Sequence, residues 1–447
     1  MQVKVIGGGL AGCEAAWQCL RRGLKVELVE MRPTKLTPAH QTGNLAELVC
    51  SNSLKSLDKN SAPGLLKEEM QALGSLIVMA ALKSAVPAGQ ALAVDREKFS
   101  QTIRDALFAD KNFTMTEAEY RTLPDVETLS QSHQCIIVAT GPLTSDDLMP
   151  SLLDLCGNSE RLHFYDAIAP IIAADSIDFD HCYKADRYGK GDADYLNIPL
   201  DKSEYEAFIK DILTAEYALP HGFENAKYFE SCLPIEVMAH RGTETLRFGP
   251  MKPVGLPNPK TGQIPHAVIQ MRQENIDATM YSLVGFQSKM KWPEQKRVFS
   301  RFPALRNAEF LRFGSIHRNT FLESPKVLNR DLSFQNNPHI FLAGQITGVE
   351  GYTESSAMGL LAGQAAAARL LGEVFSSPPR ETMIGSLWHY ITQGGLGEFQ
   401  PMNANFGLLP PLPRVRKETK PERKIRQCSR ASEALKVYSA PYSDSHI

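Results

Sequence analysis

No two of the eight cysteines form a C-x-x-C pair: Cys13, Cys19, Cys50, Cys135, Cys156, Cys182, Cys232 and Cys428 are scattered over 447 residues. That spacing indicates neither a zinc knuckle nor a dithiol redox motif, and it makes free thiols in a reducing compartment the natural reading. An excess of charge of one sign is also missing. Forty-eight Lys and Arg against 50 Asp and Glu leave a formal net charge of -2, so the chain as a whole announces no nucleic-acid partner and only local patches can supply one. No apolar run is long enough to span a bilayer. Residues 1–12 pass from a short apolar run straight into glycines, without a charged leader or a small-residue cleavage site, and the expectation is a cytoplasmic protein with no membrane segment. Internal repeats and low-complexity tracts are absent.

What is present is a globular chain, 43% hydrophobic, with length for two or three domains. It opens as strand, turn, helix, strand: Val3–Ile6, the loop Gly7-Gly8-Gly9-Leu10-Ala11-Gly12, a helix over Cys13–Arg22, and Lys25–Glu30. Gly7-x-Gly9-x-x-Gly12 with Glu30 at the end of the next strand is the complete dinucleotide fingerprint. Gly7 permits the tight turn, Gly9 lets backbone approach a pyrophosphate, Gly12 allows close helix packing, and the helix N-terminus supplies N–H donors. Glu30 is expected to accept hydrogen bonds from the adenosine ribose hydroxyls. Gly7 through Gly12, Glu30, Met31 and Arg32 are therefore the candidate nucleotide contacts.

A second glycine-rich turn, Ala343-Gly344-Gln345-Ile346-Thr347-Gly348, follows an apolar strand at His339–Gly344 and precedes an alanine-rich helix over Ser355–Leu371. A simple NAD dehydrogenase has no need of it, so FAD is the expected cofactor, with Gly344, Gln345, Gly348, Gly351 and Tyr352 at the flavin side and Thr140-Gly141 near the middle. The competing reading is a plain α/β crossover with ordinary loop glycines. Helices are expected over 64–73 and 95–108, a strand over Gln134–Thr140, and a long loop or set of short turns between Met31 and Asn60. From about 185 to 290 short turn-bounded strands replace long periodic runs. The fold class is thus α/β: a discontinuous FAD-binding Rossmann-like domain over 1–185 and 291–447, interrupted by a smaller mixed α/β domain over 186–290. Residues 414–430 carry eight basic side chains against two acids.

Cys50 sits among small polar residues in the loop beside the nucleotide unit, and Cys232 stands between Glu230 and Glu236 with Pro234 following. On their own residues both read as buried and inert more readily than as catalytic. Arg241, Arg247, Lys252, Arg272, Lys289, Lys291, Lys296, Arg297 and Arg301 could line a phosphate surface, although a charge run is usually a solvated face. His40, His266 and His317 are equally open between structural and functional roles.

Nearly end to end, the sequence resembles the FAD- and folate-dependent tRNA uracil-5-methyltransferases. The resemblance rests on Val5–Gly12, Glu30–Pro33, Thr37–His40, Ala46–Leu54, Gly64–Glu69, Val86–Gly89 with Ala93–Arg96, Cys232–Met238, Phe248–Gly255, Val284–Gln287, His317–Thr320, Gly344–Ser355 and Gln400–Leu409. The segments around Cys50 and Cys232, and Met402–Gly407, are specific to that family. The chain departs from the pattern at Gln41, Gly43 and Pro63.

The resemblance implies reductive methylation of a T-loop uridine of tRNA, uridine-54, to 5-methyluridine. Methylenetetrahydrofolate would be the carbon donor, reduced FAD the carrier and reductant, and NAD(P)H the source of electrons, docking transiently because no second nucleotide fingerprint is visible. Carbon 5 of uracil is a poor nucleophile until a thiolate adds at carbon 6. By resemblance Cys232 is that nucleophile and Cys50 the nearby thiol that assists proton removal or flavin chemistry, with the two roles exchangeable. A stacked T-loop base must swing out to reach a thiol, which gives Arg241, Arg247, Lys252, Lys289, Lys291, Arg414 and Lys417 a role as tRNA contacts. His317 and Asn319 are the candidate folate contacts, and no metal is expected. Competing readings are a flavoenzyme acting on the wobble uridine, whose relatives usually carry a long C-terminal helical extension, a non-catalytic FAD-containing RNA-binding protein, and a plain NAD(P)H oxidase.

Overall fold

The opening strand Gln2–Ile6 pairs in parallel with Lys25–Glu30 on one side and with Gln134–Val138 on the other. Covered on both faces, such a strand needs apolar residues facing both ways, and Val3, Val5 and Ile6 are all buried. Phe113–Glu117 extends the sheet beyond Lys25–Glu30, and Asn337–Leu342 extends it beyond Gln134–Val138. Growth of the sheet reverses beside the opening strand, which is where ligands bind in doubly wound sheets. The short antiparallel strand Ser333–Phe334 closes one edge. This computed structural model describes residues 1–157, 162–189, 192–218, 233–275, 277–394, 399–413, 415 and 417–443, and of 162–168, 315–319 and 440–443 the backbone alone.

Helix Leu10–Arg21 packs on helix Tyr352–Leu371, joining the two ends of the chain. The contact is close because glycines face alanine backbone: a Cβ on Gly359 would lie 2.3 Å from the carbonyl oxygen of Ala11, and one on Gly363 2.6 Å from that of Ala15. The first core gathers residues from Val3 to Cys156 and from Phe321 to Tyr438. Helix Lys420–Ser443, which carries much of the basic tail, docks on that core through Cys428, Ala431, Leu435 and Tyr438.

A second sheet is antiparallel throughout, in the order Tyr183–Lys184, Leu196–Leu200, Ala267–Gln273, Met280–Leu283, Ile171–Ala173, Phe310–Arg312. Its core holds Ile172, Phe208, Ile269, Phe286, Phe299 and Phe302 and draws on residues 172 to 308, a longer stretch than 186–290. Ile171–Ala173 and Phe310–Arg312 are three-residue strands, too short to show an alternation in the sequence. The strands Leu162–Ile168 and Ser315–Phe321 pair antiparallel along the two connections between the cores.

Candidate functional site: a dinucleotide cleft beside the Cys50 loop

The glycine loop is built as its spacing requires. Gly7 has φ of +103°, its N–H donates to the Val29 carbonyl at 2.8 Å, and a Cβ there would lie 2.6 Å from the Ala139 carbonyl oxygen. A Cβ on Gly12 would lie 1.9 Å from the Gly7 carbonyl oxygen, whereas one on Gly9 would meet nothing within 4 Å. Gly9 caps helix Leu10–Arg21 without any side-chain hydrogen bond, so the first-turn N–H groups keep the capacity that a diphosphate fills. The loop fits that group.

The cleft above it has an empty volume of about 1200 Å³, including its solvent-open mouth. Gly7, Gly9, Leu10, Ala11, Glu30, Met31, Arg32, Thr140, Gly141, Gly344, Gln345 and Tyr352 line it. Four other candidates do not. The Gly8 N–H is held by Glu30, Gly12 packs on Gly7, Gly348 packs on Phe399, and Gly351, with φ of +117°, turns beside Glu354. His40, Glu47, Tyr120, Thr144, Ser145 and Ser355 also line the cleft and stand outside the sequence-derived set. Thr37-Pro38-Ala39-His40 carried a signal for His40. Tyr120 follows Phe113–Glu117, where only Phe113 is buried, so no apolar run marks that strand.

Glu30 is 4% exposed, and both of its oxygens are engaged. Oε2 accepts from the Gly8 N–H at 2.6 Å and Arg32 Nη2 at 3.1 Å, while Oε1 accepts from the Arg32 backbone N–H at 2.9 Å and Nε at 3.0 Å. Arg32 Nη1 also reaches Glu47 at 3.2 Å. A ribose hydroxyl must therefore displace one of these donors to bond Glu30, since a carboxylate offers about four acceptor positions. Burial raises the Glu30 pKa, but the Arg32 hydrogen bond and charge outweigh it and hold the group below its ordinary value.

The Cys50 loop borders the other end. Cys50 is half-buried, and its backbone N–H donates to the Tyr352 hydroxyl at 2.7 Å, as does that of Ser51 at 3.2 Å. Burial, then the neighbouring Cys50, pushes the Tyr352 pKa up, so the phenol is neutral. Burial lowers Arg312, and the Arg96 charge lowers it further. His40 shares a 2.6 Å hydrogen bond between Nδ1 and Thr37 Oγ1, and burial followed by the Arg32 charge lowers its pKa to about 4. His40 is thus a neutral imidazole at neutral pH.

The basic candidates divide. Arg247 pairs with Glu244 at 3.1 Å and bonds the His266 carbonyl, and Lys291 pairs with Glu216 at 2.8 Å. Lys289 is half-buried with its ammonium 5.0 Å from the Tyr217 ring centre. Lys252 is half-buried, while Arg241 and Lys417 are exposed. Arg272 is 7% exposed and bonds Asn52, so it is not available to a phosphate. Cys232 and Arg414 lie outside the described residues. The backbones of His317 and Asn319 stand opposite Asp166 and Phe164, and their side chains lie outside the described set. Among the described residues no group of three or more His, Cys, Asp or Glu could hold a metal ion, and no helix is long and apolar enough to cross a membrane.

Sheet order, glycine loop and cleft define a protein with a dinucleotide-binding fold of the GidA type. The family model for glucose inhibited division protein A matches residues 2–374. The solved structure of Aquifex aeolicus GidA superposes with a TM-score of 0.70 at 15% identity, covering 99% of this chain and 75% of that one. Two relatives named methylenetetrahydrofolate--tRNA-(uracil-5-)-methyltransferase TrmFO are far more similar. That of Lactobacillus gasseri is 52% identical over 98% of each chain, and that of Moorella thermoacetica is 54% identical over 92% of each. The chain belongs to the TrmFO family.

Proposed function

We propose that this protein methylates carbon 5 of a T-loop uridine in tRNA, uridine-54, with methylenetetrahydrofolate as the carbon donor. The residues of the cleft would hold FAD: the Gly7–Gly12 loop its diphosphate, Glu30 its adenosine, and Gly344, Gln345 and Tyr352 its flavin. Bound and reduced, FAD supplies the two electrons that take a methylene to a methyl, and NAD(P)H restores them.

One observation carries the reading: the loop of Cys50 is bonded to Tyr352, a wall of the nucleotide cleft, at 2.7 Å. That bond supports a role for the half-buried Cys50 thiol at the flavin end, where a uracil methylase requires one. The Cys232 thiolate adds to carbon 6 of the uracil and makes carbon 5 nucleophilic, and Cys50 takes part in removing the proton from carbon 5. Neutral Tyr352 binds and orients at that end without adding charge, and neutral His40 lines the same cleft. His317 and Asn319 contact folate. Arg241, Arg247, Lys252, Lys289, Lys291, Arg414 and Lys417 contact tRNA phosphates. The second core, inserted into the first, presents the tRNA. The reaction uses no metal and proceeds in the cytoplasm.

The test is to incubate the yellow protein with an unmodified tRNA transcript, donor labelled in its one-carbon unit and NADPH, then locate the label by nuclease digestion and mass spectrometry. Label on one T-loop uridine, lost in Cys232→Ala, is the expected result. Bound FAD with no transfer to RNA sinks the reading in favour of a non-catalytic flavoprotein or an oxidase.

A further inference from the structure

Asn52 stands two residues past Cys50 and is fully buried. Its side-chain amide is satisfied at both ends: Nδ2 donates to the carbonyls of Val94 at 3.0 Å and Gln273 at 3.1 Å, and Oδ1 accepts from Arg272 Nε at 2.9 Å. Two residues before Cys50, the Leu48 carbonyl accepts from Arg96, whose Nε holds Glu274 at 2.8 Å. Gln273 ends the strand Ala267–Gln273 of the second sheet, with Arg272 before it and Glu274 after. The Cys50 loop, which belongs to the first core, is therefore bonded directly to this strand at Asn52, and before the cysteine it is tied through Arg96, which bridges Leu48 to Glu274 just past the strand's end.

That strand leads to the second candidate cysteine. It pairs with Met280–Leu283, and just beyond, the Gln287 carbonyl accepts the Ile235 N–H at 2.8 Å. Ser288 Oγ and the Lys289 N–H hold the Glu236 carboxylate at 2.5 Å and 3.2 Å. Ile235 opens a helix three residues past Cys232. One β-hairpin thus joins the loop of Cys50 to the segment that follows Cys232.

Arg272 is 7% exposed and Glu274 1%. Burying such charges is costly, and apolar side chains of similar size commonly hold two surfaces together as well or better. What an apolar contact does not supply is direction, and a thiol that must meet a ring carbon needs it: a misplacement of about 1 Å costs on the order of 10²-fold in rate.

We propose that Asn52, Arg272 and Glu274 are positioning residues, which fix the Cys50 loop against the second sheet and so set the Cys50 thiol relative to the helix that follows Cys232. The inference rests on the reading above, in which both thiols serve one uridine. Its test uses purified full-length holoprotein of Arg272→Met and Asn52→Ala, singly and combined. Three quantities are measured: alkylation of Cys50 by iodoacetamide, resolved by peptide mass spectrometry, the kcat and KM of label transfer to tRNA, and flavin content.

The expected result for Arg272→Met is a Cys50 alkylation rate changed about fivefold or more and a kcat lowered about 10- to 100-fold. KM for tRNA and flavin content stay within about twofold, and the double variant is no worse than the worse single one, because the Arg272–Asn52 bond is lost in both singles. If Arg272→Met does not fold, Arg272→Lys, which keeps the charge and loses the planar fork, carries the same readouts with a smaller expected loss. Unchanged Cys50 alkylation in the folded variant overturns the proposal, whether or not kcat falls, since general weakening of the fold does not act selectively on that loop. Alkylation is read without tRNA or folate, so it decides the coupling by itself. Absence of label transfer in the unsubstituted protein defeats only the functional reading.

Discussion

The two cores differ in how they satisfy most of their charges, the buried Glu236 of the second, held by Ser288 Oγ and the Lys289 N–H, being an exception. In the first, buried carboxylates bond backbone: Glu14 accepts from the N–H groups of Leu76 and Ile77, Glu69 from those of Met383 and Ile384, and Glu30 from that of Gly8. Around the second, charges are spent on one another at the surface: Arg247 with Glu244, Lys291 with Glu216, Arg297 with Glu294, and Arg301 with Asp211. In the first core, the glycine loop owes its backbone donors to local spacing, while the donors to Glu14 and Glu69 come from distant helices. A patch made of side chains loses charge both to acids three positions away, as at Arg247 and Arg297, and to distant ones, as at Lys291 and Arg301, so counting cations along the sequence overstates its charge.

The sharpest way to break this contrast is at the glycine loop. Gly12→Val puts a Cβ against the Gly7 carbonyl oxygen and is expected to cost about 4 kcal/mol or more, yielding little folded protein. Gly9→Val meets open space in the protein and should keep the fold while losing FAD. Flavin absorbance and a thermal melt of each variant check this, and a folded Gly12→Val that holds flavin contradicts it.

A smaller effect comes from Glu69. Burial pushes its carboxyl up to about 8, against the pull of the Ile384 and Met383 N–H groups. The folded state thus keeps a proton that the unfolded chain loses near its ordinary value. This contribution to stability is full at acid pH and is lost as pH rises through about 8. Tm should decline between about pH 5 and pH 8 through this group, and Glu69→Gln, which keeps an acceptor and cannot ionise, should flatten that decline. An unaltered pH profile counts against it.

The smallest effects belong to the paired cations. Lys291→Ala and Arg247→Ala should each move stability by at most about 1 kcal/mol and weaken tRNA binding only slightly. Lys420, Arg423 and Lys424 are exposed on the C-terminal helix, and replacing all three with Ala should lower tRNA affinity severalfold and flatten its salt dependence, by roughly one contact's worth of slope per side chain. Filter binding across a salt series separates the two groups. Equal effects would mean that the acid partners of the paired cations yield to tRNA.

The same contrast explains what could be read from the sequence. Lys25–Glu30 is a strand with the expected ends, the helices expected over 64–73 and 95–108 are Ala62–Ala72 and Arg96–Phe108, and Gly7, Gly9 and Gly344 line one cleft, because each follows from periodicity or a glycine's local geometry. The extent of the second core was not legible, since Tyr183–Lys184, Ile171–Ala173 and Phe310–Arg312 are strands of two or three residues that join the sheet only in three dimensions. Nor was the state of Glu30, whose partners on Arg32 become visible only when the chain turns back on itself. Arg272 looked like one more cation in a basic run, and its buried bond to Asn52, 220 positions away, leaves no trace in local pattern.

The most direct test of one site shared by the cleft and the Cys50 loop is label transfer from methylenetetrahydrofolate to unmodified tRNA by Cys50→Ala loaded with FAD. Normal flavin absorbance with no label on the T-loop uridine is the expected result. Transfer at the rate of the unsubstituted protein would contradict it and leave the cleft without a chemical role for the loop that borders it.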